Sequence, residues 1–176
     1  MVAQAEEAVR EAEVEDIHQD IHLVEPQWEN TIPDDLVDHP LLLAMQESHS
    51  PFLITDPRLP GNPIIYINNG FLDMTGYSQT RVLGRNCRFM QGPETDPVVV
   101  AKLRDAVDDG RDITVTLLNY RADGSTFYNH IIISTVKDPE SKEVKYFLGL
   151  TEEVSTPHGQ PRLVSMPVSD PEESES

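Results

Sequence analysis

Between Val9 and Val24 the apolar residues Val9, Ala12, Ile17, Ile21 and Val24 recur close to every 3.6 residues amid dense acid, the stripe of an amphipathic helix that something must cover. Pro26 and Pro33 interrupt the pattern, with Trp28 between them. A second helix is expected from Pro40 through Leu41, Leu42, Leu43 and Met45, because proline suits a first helical turn. This part reads as an apolar cap or a dimer surface. Beyond Pro51 the spacing shortens. Phe52-Leu53-Ile54-Thr55 and Ile64-Ile65-Tyr66-Ile67 are short β-rich runs either side of a Pro/Gly/Asn loop, which predicts an antiparallel pair. Residues 69–91 hold short helical pieces punctuated by Gly70, Gly76, Gly84 and Gly92. A longer helix is predicted from Pro97, with Asp96 as N-cap and Gly110 beyond its end. Residues 113–120 and 126–136, joined around Asp123-Gly124, predict a hairpin, and residues 144–151 the last strand. Two strands, several small helices and three strands describe an α+β domain with helices on one face of an antiparallel sheet.

Charge divides the chain in the same places. Of the net −18, residues 1–38 contribute −11, residues 152–176 contribute −5, and the middle only −2. The organisation expected is therefore an acidic N-terminal helical extension at 1–48, a core at 49–153, and an acidic, Pro/Ser-rich, disordered tail at 154–176. So much negative charge argues against nucleic acid as a partner. No apolar run is long enough to span a bilayer and the N-terminus lacks an export signal, so no membrane partner is expected. A single cysteine excludes an internal disulfide and fits a reducing cytoplasm. His18 and His22 stand at metal-ligand spacing, but no further ligand lies nearby and a solvated acidic face explains them as well.

That cysteine lies in Gly84-Arg85-Asn86-Cys87-Arg88-Phe89-Met90-Gln91-Gly92-Pro93. In a one-turn helix Cys87 and Gln91 would share a face, with Arg88 about a quarter-turn away, and a sulfur and an amide would wall a pocket. Cys87 could equally be a small apolar filler. Strand parity adds a second clue, because alternate residues share a face. Asn119 continues the row Ile113, Val115, Leu117, and Asn129 sits within Phe127, Ile131, Ile133. Buried amides need partners, since an unsatisfied one costs about 1–3 kcal/mol. Loop backbone or water could supply them; so could a polar guest. Arg88 and Arg104 could grip a phosphate, although Arg104 could instead pair with Asp108 one turn on. Together these residues suit a ligand with an anionic end, a flat hydrogen-bonding edge and an apolar body near a thiol. Flavin mononucleotide (FMN) has all three.

The stretch 84–91 closely resembles the signature of light-oxygen-voltage (LOV) photoreceptor domains within the PAS fold. So do Thr55-Asp56-Pro57-Arg58-Leu59-Pro60, Asn62-Pro63-Ile64-Ile65-Tyr66, Gly92-Pro93-Glu94-Thr95-Asp96 and Leu118-Asn119-Tyr120, and the likeness covers roughly residues 51–151. It implies a five-stranded antiparallel sheet around a non-covalent flavin, usually FMN, with riboflavin or FAD as alternatives. By the same resemblance Cys87 is the photoactive cysteine, Asn86 and Gln91 touch the ribityl chain, and Arg88 and Arg104 hold the phosphate. Asn119 and Asn129 read the polar edge of the ring, while Thr55, Leu53, Phe71 and Ile133 line it. Similar proteins carry glutamine where Phe147-Leu148-Gly149-Leu150-Thr151 ends, so Thr151 beside the flavin must relay any signal differently. The chemistry implied is a blue-light-driven bond from the Cys87 sulfur to flavin C4a, broken thermally, with no substrate turnover. The expected output is a short LOV protein without a fused effector, signalling through its N-terminal helices or a light-dependent homodimer to an unknown downstream partner. A PAS ligand sensor or dimerisation module without photochemistry is the alternative. A thiol enzyme with His130 as base fits least, since His130 has parity opposite to Asn129 and no oxyanion-hole motif is evident.

Overall fold

The structure, a computed structural model, describes residues 28–157. The predicted helical stripe from Val9 to Val24, the His18/His22 pair and most of the acidic tail lie outside the described residues. After a 3-10 turn at Asp34–Leu36 come α1 (Pro40–Glu47), β1 (Phe52–Thr55), β2 (Ile64–Ile67), α2 (Asn69–Thr75) and α3 (Gln79–Val82). A 3-10 turn at Cys87–Met90 leads to α4 (Pro97–Asp108), β3 (Ile113–Tyr120), β4 (Thr126–Lys137) and β5 (Val144–Val154). The local signals explain these limits. Pro97 occupies the first turn of α4, and the Asp96 carboxylate accepts from Val98 N at 2.8 Å. At the β3–β4 turn Gly124 takes φ +85° and Asp123 Oδ1 accepts from Ser125 N at 2.9 Å.

The five strands form one antiparallel sheet in the order β2-β1-β5-β4-β3. β5 is therefore central, although it is made last. Its side chains alternate: Phe147, Gly149 and Thr151 share one face with their partners Thr55, Leu53 and Ile131, while Tyr146, Leu148 and Leu150 face the other way. A bulge between Ile54 and Thr55 leaves Ile65 unpaired, so Ile64 and Ile67 reach the same side of the sheet.

Each face carries its own core. On the first, Leu53, Ile64 and Ile67 pack with Phe71, Val82, Leu83 and Met90 from the small helices and the Cys87 turn. On the second, Phe52, Ile54, Tyr146 and Leu148 pack with Leu36, Leu42 and Met45. Burying those last three side chains is worth about 1.5–3 kcal/mol each. The pattern alone predicted helices on one face only; α1 and the turn before it cover part of the other, because Leu36, Leu42 and Met45 seal the strand residues there while Leu43 stays exposed. A polar clasp fixes this cap. Lys145 Nζ and Tyr146 OH both donate to the Asp35 carboxylate, the latter at 3.0 Å. The Arg58 guanidinium lies 4.7 Å from the Tyr146 ring centre while forking onto Asp56 at 2.8 and 2.9 Å.

Candidate functional site

On the first face the sheet, the β1–β2 loop, the Cys87 turn and α4 enclose a cavity of about 580 Å³. Its sheet wall is Leu53, Thr55, Ile133, Phe147 and Gly149. Opposite, α4 presents Val100, Leu103, Arg104, Val107 and Asp108, the spacing of one helical stripe. Gly149 matters here: a Cβ would come to 3.3 Å from the Leu53 side chain and take up room on the cavity wall.

The Cys87 turn is held by its own first residues. Asn86 Oδ1 accepts from Arg88 N and from Arg88 Nε, both at 3.0 Å, and Asn86 Nδ2 donates to Gly61 O at 2.8 Å. The turn is a 3-10 helix ending at Met90, and Gln91 has extended backbone with φ −81° and ψ 156°. Cys87 and Gln91 therefore do not stack as an α-helical pair, contrary to the expectation, because three residues per turn bring i and i+3 into line instead. Both nonetheless wall the cavity, as do Asn86, Arg88 and Arg104. Arg88 and Arg104 are exposed at its rim, and neither forms an ion pair among the described residues. Asp108, the alternative partner for Arg104, shares the wall without closing such a pair.

Asn119 and Asn129 are 2% and 0% exposed, and Asn129 Nδ2 donates to Asn119 Oδ1 at 3.0 Å. Asn119 Nδ2 donates in turn to Met90 O at 3.3 Å, which ties the pair to the end of the Cys87 turn. They lie on the cavity side of the sheet but outside the ring of residues that walls it. Among the described residues three buried oxygens lack a hydrogen-bond partner: Thr55 Oγ1, Asn62 Oδ1 and Asn129 Oδ1. Two belong to the cavity wall. An orphaned buried polar atom costs about 1–3 kcal/mol, so this face is built to receive hydrogen-bond donors. Asn62 was missed by the sequence reasoning; its position in Gly61-Asn62-Pro63, with φ +48°, turns the amide inward from a loop read only as a connector. Phe71 lies in the core beside Leu53, not on the wall. Thr151 is also absent from the wall, and its hydroxyl and amide both donate to Pro51 O, at 3.2 and 2.9 Å.

Electrostatics separate the chemistry open to Cys87. Burial pushes its thiol up to about 12, and the nearby Arg88 charge offsets that only in part. A thiolate nucleophile needs the opposite shift. His130, on the far face, stands 2.9 Å from Thr116 Oγ1 and gives Cys87 no base. What the arrangement offers is a protonated thiol on the wall of a cavity with unanswered acceptors and a cationic rim.

The PAS domain family matches residues 49–156. A light-oxygen-voltage domain solved in work on a flavin analogue is 51% identical with TM-score 0.64, the match covering 67% of this chain and 87% of that one. The dark structure of the blue-light photoreceptor Aureochrome1 LOV is 46% identical with TM-score 0.62, covering 71% and 89%. Phototropin-1A of Oryza sativa subsp. japonica is 44% identical over 110 residues, 62% of this chain and 12% of the relative. The blue-light photoreceptor of Listeria monocytogenes is 42% identical over 118 residues, 67% of this chain and 46% of the relative. The chain thus spans less than half the length of these two relatives. It belongs to the PAS domain family and, within it, to the LOV domains.

Proposed function

We propose that this chain is a blue-light receptor that holds FMN non-covalently in the cavity and bonds it reversibly through Cys87 on illumination. The observation that carries the reading is the Cys87 thiol on the wall of a cavity of about 580 Å³ whose buried oxygens await donors. The residues suit the group. The unpartnered acceptors on the wall, Thr55 Oγ1 and Asn62 Oδ1, answer N–H or O–H donors of a bound flavin, and Arg88 and Arg104 offer guanidinium forks to a phosphate. A flavin held here would, under blue light, supply an electrophilic ring carbon as the acceptor for the Cys87 sulfur.

Cys87 brings its own proton, because burial keeps the thiol neutral throughout the physiological range. Sulfur and hydrogen are thus delivered from one residue without a separate base. Asn86 caps the turn and fixes where the sulfur stands, which removes the entropic cost of encounter. Output leaves through β5. Thr151, where similar proteins carry glutamine, is tied to Pro51 at the join between α1 and β1, and Tyr146 is tied to Asp35 in the cap. A hydrogen-bond change near β5 therefore has two short routes to the cap, where Val37 and Leu43 stand 49% and 43% exposed and offer a surface for a light-dependent homodimer.

The test is the absorption spectrum of the full chain before, during and after blue light, repeated on Cys87→Ala. Flavin bands that bleach and recover in the wild type, and persist unbleached in Cys87→Ala, are expected. A coloured wild type indifferent to light would refute the photochemistry, and a colourless protein would return the chain to the class of ligand-sensing PAS modules.

A further inference from the structure

Among the described residues the ion pairs are Asp56–Arg58, Asp109–Arg111, Glu153–Arg121 and Asp35–Lys145. Arg81 and Arg85 belong to none of them, although both are exposed on a chain of net charge −18. Both are held in place. The Arg81 guanidinium lies 5.5 Å from the Tyr77 ring centre, and that of Arg85 lies 4.4 Å from the Phe89 ring centre. Those two rings pack edge to face at 5.0 Å, and Arg85 also donates to Arg81 O at 3.3 Å. Two positive charges thus sit on a stiff aromatic base next to the Cys87 turn with no carboxylate of the described fold to answer them.

The chain enters the fold at this spot. A Cβ on Gly84 would fall inside the Trp28 indole, and Trp28 packs against the same apolar cluster as Tyr77 and Phe89. Asn30 secures the entry: its Nδ2 donates to Ile67 O at 2.9 Å and to Gln79 Oε1 at 3.3 Å, while its Oδ1 accepts from Ile67 N at 2.9 Å. The described residues therefore begin, at Trp28, beside Gly84-Arg85. Residues 1–27 hold eight acids and one base. Glu25 stands three residues from Trp28, a reach of about 10 Å at full extension, close to the screening length at physiological salt. The C-terminal tail competes poorly, because beyond Pro157 its first acid is Asp170.

We propose that the acidic segment 1–27 docks, within its own chain, on the Arg81–Arg85 face beside the cavity. Arg81→Lys and Arg85→Lys in the full chain keep the charge and offer amines to a zero-length carbodiimide crosslinker. The expected products, mapped by mass spectrometry, join these positions to carboxylates of residues 6–25. They should be lost in about 1 M salt, where the screening length is about 3 Å. An equal mixture of unlabelled and 15N-labelled chains should give no mixed-isotope crosslinks. Links to Asp170–Glu175 instead, mixed-isotope links, or no link at all while Asp35 and Lys145 crosslink in the same sample, would each overturn the proposal.

Discussion

Thr55→Val separates what the cavity face costs the empty protein from what it contributes to a bound ligand. Thr55 is 4% exposed in β1, and its hydroxyl has no hydrogen-bond partner. Valine keeps the branched shape and β-strand preference and removes only the unanswered oxygen. Burying a hydroxyl without a partner costs about 1–3 kcal/mol, so the ligand-free variant should be more stable than the ligand-free wild type by about 1 kcal/mol or more. For the roughly 130 described residues, an unfolding entropy near 2.1 cal/mol/K per residue converts 1 kcal/mol into about 4 °C. Differential scanning calorimetry of both flavin-free proteins reads that rise directly. Titration with FMN should move the other way, with affinity falling about tenfold, the equivalent of one lost hydrogen bond of about 1.4 kcal/mol. A flavin-free variant that melts lower than the wild type, or an FMN affinity left unchanged, would refute the inference that Thr55 faces the ligand as an unpaired group.

Alkali should weaken the fold through Cys87. Its thiol titrates near 12 when folded against an ordinary value of 9.0, so the contribution is intact below about pH 9 and is lost as pH rises toward 12. Denaturant unfolding across that interval should slope downward more gently in Cys87→Ser, and identical slopes would contradict the burial. Gly84→Ala must place a side chain at φ +80° and inside the Trp28 indole, for a loss of about 2–4 kcal/mol. The emission of this sole tryptophan should shift to the red, and an unmoved spectrum would refute the contact. Asp35, held below the ordinary carboxylate range chiefly by Lys145, stabilises the cap above about pH 4 and releases it as pH falls through its lowered value. Because the pair is largely solvated, Asp35→Asn should cost no more than about 1 kcal/mol. Hydrogen exchange of the α1 amides should quicken; unchanged rates would remove the clasp from the account.

Much of the architecture was legible because its signals are local. Asp96-Pro97 announces α4, Asp123-Gly124 the hairpin, and the alternation around Asn119 and Asn129 their common face. The remainder depends on contacts distant in sequence. Nothing in the run 41–43 says which face of the sheet it will cover, since that requires knowing that β5 inserts between β1 and β4. The Cys87 turn is a 3-10 helix with Asn86 as its N-cap, a tightening that spacing alone does not reveal. Asn62 hid in a loop whose composition signals only a connection, and Thr151 points to a role beside the cavity until Pro51 O is seen to take its hydroxyl.

β5 has a further implication for how this sequence can vary. Its even-numbered residues Tyr146, Leu148 and Leu150 belong under the cap, and its odd-numbered residues Phe147, Gly149 and Thr151 belong to the opposite side. Deleting or inserting one amino acid there would send aromatic bulk into the wrong half of the molecule and strand glycine where leucine is needed. Length in this segment is thus more tightly constrained than composition, and engineered fusions or loop grafts should be joined outside residues 144–154.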